Sequence, residues 1–327
     1  MVFERVDEKY VDQAVELALV EYKAECSQVM DLPNLDFENE IRDLVINLFR
    51  EKHGVVAKEG ERVVGYMAFY CPIDGFFGSC KGAFCPLGGS AFSYGKRQMI
   101  ASRLLSAATE QLLKEEGITS FAISQYANDI EVEKEFVLNG FGIRCSDAIM
   151  RLQASTPRKI INENLTLKEL KKEEKNLTLE LRKHLTRHLL QSPIYFPTNI
   201  SEYMDWFSED NIRVFVACNN DEIIGFMSIG DESESFISQA DGVVNICGAF
   251  VNEEYRGKEV ATDLLCYVCD TCKQEGAKYL GVDYETLNPN ALRFWGKYFK
   301  SYSFSYHRRI DERVIGYESY LEKEWGR

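Results

Sequence analysis

One small set of residues occurs twice in this chain at a fixed spacing, and that recurrence limits the possible folds more than any other feature. Gly65-Tyr66-Met67 returns as Gly225-Phe226-Met227, Ala101 as Ala261, Leu104-Leu105 as Leu264-Leu265 and Asn128 as Asn288, all at an offset near 160 residues. Gly117 and Gly276 follow one residue out of step. A period of this length predicts two copies of one fold in tandem, and 327 residues accommodate two domains of about 150 residues each. The predicted modules are residues 1–153 and 165–327, with the Pro157-containing stretch Ala154–Asn164 as the linker.

Hydrophobic periodicity runs in the same order in both halves: helices, a hairpin, then βαβα. The first half predicts helices over Asp12–Ser27 and Phe37–Glu51, then a hairpin of Val55–Lys58 and Val63–Tyr70 turned by Glu59-Gly60-Glu61. A long strand region, a helix over Arg97–Glu116, a strand Ser120–Tyr126 and a helix over Ile130–Asn139 complete it. The second half predicts helices over Leu167–Leu189 and Ile200–Phe207, then a hairpin of Val214–Cys218 and Ile223–Ile229 turned by Asn219-Asn220-Asp221. Strand Val243–Val251, helix Val260–Gln274, strand Tyr279–Tyr284 and helix Asn290–Tyr298 follow.

Composition narrows the functional classes. Lys and Arg total 38 against 52 Asp and Glu, a formal charge of −14 with the basic residues dispersed, which disfavours nucleic acid and anionic membrane as partners. The first ten residues alternate polar and apolar without a basic start and an apolar core, so no signal peptide is expected. Ten cysteines scattered through predicted strands and helices read as reduced thiols of a cytoplasmic protein.

The sharpest local pattern is Val251-Asn252-Glu253-Glu254-Tyr255-Arg256-Gly257-Lys258-Glu259-Val260-Ala261, an apolar strand meeting a basic, glycine-containing turn that opens a helix. Unpaired N–H groups of the first helical turn and the helix dipole make such a junction an anion site. Arg256 and Lys258 add formal charge at its rim.

This stretch resembles the coenzyme A signature of the GCN5-related N-acetyltransferase (GNAT) superfamily, in which Arg or Gln precedes two variable residues, Gly, a variable residue, and Gly or Ala. Arg256 and Ala261 fit, whereas Glu259 replaces the middle glycine. Asn288-Pro289-Asn290-Ala291-Leu292-Arg293-Phe294-Trp295 is similar to the superfamily's downstream motif, at the expected distance. The resemblance implies an α+β protein of two tandem acyl-CoA N-acyltransferase (GNAT-like) modules, each a mixed central sheet flanked by helices. It also implies acetyl-CoA as cosubstrate in the second module, with Ala249, Phe250 and Val251 along the pantetheine arm and Arg256, Gly257, Lys258, Glu259, Val260 and Ala261 around the pyrophosphate. Asn288 would help fix the arm.

In the first half the equivalent loop, Ser93-Tyr94-Gly95-Lys96-Arg97-Gln98-Met99-Ile100-Ala101, keeps basic residues but loses the glycine spacing, so this module reads as degenerate. Phe136-Val137-Leu138-Asn139-Gly140-Phe141 resembles the family's closing motif with Phe136 in place of the phenol, and the glycine-rich Cys85-Pro86-Leu87-Gly88-Gly89-Ser90 could bind an anion but reads equally as an ordinary connection, the preferred reading.

The implied chemistry is acetyl transfer to a primary amine of a small molecule or peptide. The tyrosine that the family often uses as general acid is Trp295 here, which leaves Tyr298 as the candidate acid and Glu285, with Asp283, as candidate bases. Cys266, Cys269 and Cys272 do not converge at 100° per residue and read as core, so no metal is expected. Cys247 likewise reads as a small core residue on its strand. His184 and His188 stand one helical turn apart and could form half of a metal site, but a solvated or capping role near a helix end is the commoner reading. The stretch Leu190–Asn199 is expected to shape the acceptor pocket, and the protein to be a monomer or homodimer. The rival reading, favoured by Glu259 and Trp295, is a non-catalytic CoA-binding or ligand-sensing protein built from decayed transferase modules.

Overall fold

The computed structural model of the chain describes residues 1–75, 80–152, 162, 164–197, 205, 207, 209, 211–230 and 235–317. The expected linker 154–164 and helix 200–207 fall outside these residues, apart from Asn162, Asn164, Asp205 and Phe207. Two compact units are present.

The first unit holds residues 1–30, 34–146 and 302–327. It opens with strand β1 (Val2–Arg5), helices α1 (Val11–Gln28) and α2 (Glu38–Arg50), and the hairpin β2 (Gly54–Glu59) and β3 (Arg62–Ala68). The strand region expected next comes as three short strands, β4 (Tyr70–Asp74), β5 (Lys81–Cys85) and β6 (Ser90–Phe92). Then follow α3 (Arg97–Glu116), β7 (Ser120–Tyr126), α4 (Ile130–Leu138) and the start of β8 (Gly142–Arg151). β6 extends an antiparallel sheet in the order β1-β2-β3-β6, while β5 pairs in parallel with β7. Between β5 and β6 stand Pro86, which has no N–H for a ladder, and Gly88 at φ +88°, so the two strands part company there. α3 buries Ile100, Ala101, Leu104, Leu105, Ala108 and Leu112, a face spaced at helical period, against Ala57, Met67 and Phe69 of the sheet. Gly65 permits that contact, since a Cβ there would lie 2.7 Å from Ile100 Cγ2.

The second unit holds residues 31–33 and 147–301. Its elements are β9 (Leu165–Glu169), α5 (Leu179–Leu190), the hairpin β10 (Arg213–Asn219) and β11 (Glu222–Gly230), then β12 (Val243–Val251), α6 (Val260–Gln274), β13 (Tyr279–Glu285) and α7 (Pro289–Trp295). The sheet runs β9-β10-β11-β12-β13, antiparallel except for the β12–β13 pair that α6 connects. α6 buries Val260, Leu264, Leu265, Val268 and Cys272. Cys272 is therefore core, and burial pushes the thiols of Cys269 and Cys272 up to about 12 and about 11, far from the thiolate a metal needs.

The repeat extends to hydrogen-bond register. The β2–β3 ladder slips just after the pair Ala57–Gly65, and the β10–β11 ladder slips just after Ala217–Gly225, the same place in each copy.

Two expectations need correction. The helix expected over Leu167–Leu189 is instead β9, a 3-10 segment over Lys172–Thr178, and α5. Leu165 to Glu169 find open ladder positions along β10, and pairing there overrides the helical spacing of the leucines. The compact units also differ from the sequence halves 1–153 and 165–327. The last strand, β14 (Lys300–Arg309), pairs antiparallel with β7 from Ser303–Tyr126 to Arg309–Ser120 and so completes the first unit. The end of β8, followed by the Leu152 N–H to Lys278 carbonyl bond at 2.9 Å, belongs to the second. Strand pairing is non-local, and local periodicity carries no record of it.

Candidate functional site

In the second unit β12 pairs with β13 only from Val243–Tyr279 to Ile246–Val282, and beyond that point its C-terminal half continues along β11 alone. The freed edge has a definite polarity. Asn252 donates its N–H to the Ile224 carbonyl at 2.9 Å, which makes that pair hydrogen-bonded and its neighbour Gly225–Val251 the alternating non-bonded pair. The N–H and C=O of Val251 therefore face away from β11, towards the opening.

Arg256 closes one side. Its Nε–H donates to the Val251 carbonyl at 3.1 Å and an NH1–H to Glu253 at 3.4 Å, with the guanidinium over the Phe250 ring at 5.1 Å. Gly257 takes φ +73°, as glycine readily does, and Glu259, the residue preceding α6, takes φ +63°. The position held by glycine in the resembled motif thus takes a left-handed backbone here despite carrying a side chain. The first intrahelical bond is Asp263 N–H to the Glu259 carbonyl at 2.9 Å, so the amides of Val260, Ala261 and Thr262 precede the ladder.

A cavity of about 480 Å³ lies over this helix start. Nine of the ten residues expected to hold the cofactor line it: Ala249, Phe250, Val251, Arg256, Gly257, Glu259, Val260, Ala261 and Asn288. The tenth, Lys258, is exposed, with its ammonium over the Tyr255 ring at 5.4 Å. Arg293 and Lys297, which motif reasoning did not single out, add positive charge to the wall.

The candidate acid and base do not border the cavity. The Tyr298 hydroxyl is 3.1 Å from Thr262 Oγ1, so Thr262, which lines the cavity, separates them. Glu285 ends β13, where its carbonyl accepts the Asn288 N–H at 3.0 Å, and Asp283 is exposed. Trp295 borders the cavity but is 6% exposed, wedged between Phe294 and Phe299 in the core.

Asn288 has a firm structural part. Its Oδ1 accepts the N–H groups of Asn290 and Ala291 at 3.2 and 3.3 Å, capping α7, and lies 3.4 Å from His188 Nε2. His188 borders a second cavity of about 470 Å³, formed with His184, Arg187, Gln191, Phe250, Asn252 and the two carboxylates Glu253 and Glu254. Of the stretch expected to shape an acceptor pocket, Gln191 reaches this cavity. The i, i+4 spacing of the two histidines was a further sequence signal for it.

The first unit has the same junction, filled. Ser93 N–H bonds the Val64 carbonyl at 2.9 Å, so Phe92, paired with Gly65, stands where Val251 stands. The Phe92 N–H is taken by Glu21 Oε1 at 2.6 Å, and its carbonyl by Arg97 NH1. Arg97 also binds Glu21 at 2.7 Å and, through Nε at 2.9 Å, Asp129, which caps α4. Burial pushes Glu21 up to about 7 against the pull of Arg97, while Glu21 and Asp129 outweigh desolvation and hold the guanidinium above its ordinary value. A salt-bridged plug from α1 and α3 thus takes both the N–H and the carbonyl of Phe92, whereas in the second unit Arg256 takes the Val251 carbonyl and the Val251 N–H is turned to the opening.

Among the described residues no group of His, Cys, Asp and Glu is placed to hold a metal, and no helix is long and apolar enough to cross a membrane.

Residues 180–300 match the model of the Acetyltransferase (GNAT) family. A GCN5-related N-acetyltransferase from Sphaerobacter thermophilus has a similar structure, with a TM-score of 0.60 at 11% identity over 94% of this chain and 95% of that one. A GCN5-related glucosamine N-acetyltransferase region of a fungal multi-domain GH3 β-N-acetylglucosaminidase gives 0.55 at 16% identity, over 94% of this chain and 38% of that one. A tandem GNAT protein from the clavulanic acid biosynthesis pathway gives 0.50 at 14% identity, over 94% and 98%. No curated protein matches the sequence. At these identities the likeness is one of fold, and the fold is two GNAT modules in tandem.

Proposed function

We propose that this GNAT-fold chain transfers an acetyl group from acetyl-CoA to a primary amine, with the cofactor held by the second module alone. The observation that carries the reading is the free edge of β12, where the backbone of Val251 faces a cavity floored by the start of α6 and walled by Arg256, Arg293 and Lys297. A pyrophosphate suits the helix start and its cationic wall, and a pantetheine arm suits the strand edge where the Val251 N–H is turned to the cavity. A strand N–H facing the thioester carbonyl would polarise it as the oxyanion develops, and holding both reactants in adjoining cavities supplies proximity. The plugged edge in the first module supports a single cofactor per chain.

Calorimetric titration with acetyl-CoA tests this directly. The expected outcome is saturable binding at one site per chain, weakened ten- to hundredfold, roughly 1.5–3 kcal/mol, by Arg293→Glu and by Arg256→Glu. Absence of binding to the unaltered chain would refute the proposal. The second reading, a CoA-binding sensor without turnover, is favoured by the burial of Trp295 where the family often has an acidic hydroxyl. It predicts the same binding without release of CoA thiol in the presence of amines.

A further inference from the structure

The two modules present an i, i+4 pair of side chains to the same place by different means. In the first, Glu21 and Glu25 of α1 reach the strand edge and the helix-start asparagine: Glu21 takes the Phe92 N–H, and Asn128 Nδ2 donates to Glu25 at 2.7 Å. In the second, His184 of α5 lies 6.1 Å from the Phe250 ring, and His188 meets Asn288, the repeat partner of Asn128. The carboxylates are sealed in protein, whereas the histidines border open cavities.

The bonds around Asn288 decide the imidazole's proton. Its Oδ1 is fixed as the acceptor of two backbone N–H groups, so the contact from His188 Nε2 has one sensible polarity, Nε2–H donating to Oδ1. That leaves the lone pair on Nδ1. Building on the acetyltransferase reading, we infer that His188 is the proton acceptor for the amine and that the second cavity, rimmed by Glu253 and Glu254, receives that amine as an ammonium. The ammonium gives a proton to His188 Nδ1, and the neutral nitrogen's lone pair forms a bond to the thioester carbonyl carbon. The C–S bond then breaks with its electron pair on sulfur, and the thiolate is protonated as the second amine proton leaves through solvent. His188 suits this place because it borders both the cofactor cavity and the second one. The charged groups around these cavities are His184 and Arg187 on its own helix, Glu253, Glu254, Arg256 and Glu259 after β12, and Arg293 and Lys297 at α7.

Nitrogen-15 NMR of the histidine rings, with thiol release from acetyl-CoA using ethanolamine, spermidine and lysine as amine probes, tests the assignment. The neutral His188 ring is expected as the Nε2–H tautomer, with turnover rising through its measured midpoint as pH increases. In His188→Gln that limb disappears and kcat/KM falls by roughly 10²- to 10⁴-fold, while calorimetry still detects acetyl-CoA binding. An Nδ1–H tautomer, or a glutamine variant with the unaltered rate and pH limb, overturns the inference while leaving the transferase reading intact. Cofactor binding without thiol release from any probe overturns both and leaves the sensor.

Discussion

Removing the guanidinium at the centre of the first module's plug should expose how that plug is stabilised. Arg97→Met keeps the aliphatic bulk but leaves Glu21, 3% exposed, with the Phe92 N–H as its principal remaining donor, and strips Asp129 of its ion pair. Loss of one partner of a buried ion pair costs about 3–5 kcal/mol when the other stays charged. Here the cost depends on pH. Glu21 is held near 7 in the folded protein against an ordinary 4.5, so the folded state binds the proton more tightly than the unfolded chain. Its contribution is fully present below about 4.5 and is lost as pH rises to 7, about 3 kcal/mol in all. Without Arg97 the attraction that lowers Glu21 disappears, its value climbs further, and the decline extends past neutrality. The destabilisation should therefore be about 2 kcal/mol at pH 5, where Glu21 is protonated in both proteins and the Asp129 ion pair and the bond to the Phe92 carbonyl are lost, and about 3–5 kcal/mol at pH 8. Glu25, also raised to about 7 by burial, is present in both proteins and cancels in the difference. Urea unfolding followed by far-ultraviolet circular dichroism at the two pH values measures it. A difference below 1 kcal/mol at pH 8, or one that does not change with pH, would refute the reasoning.

Two further substitutions probe the second module. Glu259→Gly relieves a left-handed backbone at φ +63° and should raise stability by about 1 kcal/mol; removing the carboxylate from the cavity wall should also tighten acetyl-CoA, so an unchanged melting temperature together with weaker binding would contradict both arguments. Asn288→Ala deletes the cap of α7 and should cost about 1 kcal/mol by thermal denaturation; in the same variant the His188 ring, deprived of its acceptor, should populate both neutral tautomers.

The architecture of each module was legible because its elements are amphipathic at the right period: α3 and α6 run over Arg97–Glu116 and Val260–Gln274, as their apolar spacing requires. The phosphate-type loop was legible because an apolar strand, a basic turn and a helix start are contiguous in the chain. Tertiary structure alone decided the rest. That β14 closes the first unit and the end of β8 joins the second depends on ladders between segments distant in sequence, which no local pattern encodes. That the first module's edge is filled depends on Glu21 and Arg97, 76 positions apart, meeting at one strand amide. His188 was passed over for the same reason: beside Leu189 in sequence it is an ordinary helix-end histidine, and only the fold sets it against Asn288, 100 positions on, at the border of two cavities. Periodicity records which face of an element is buried, but the partner that meets that face is fixed by packing.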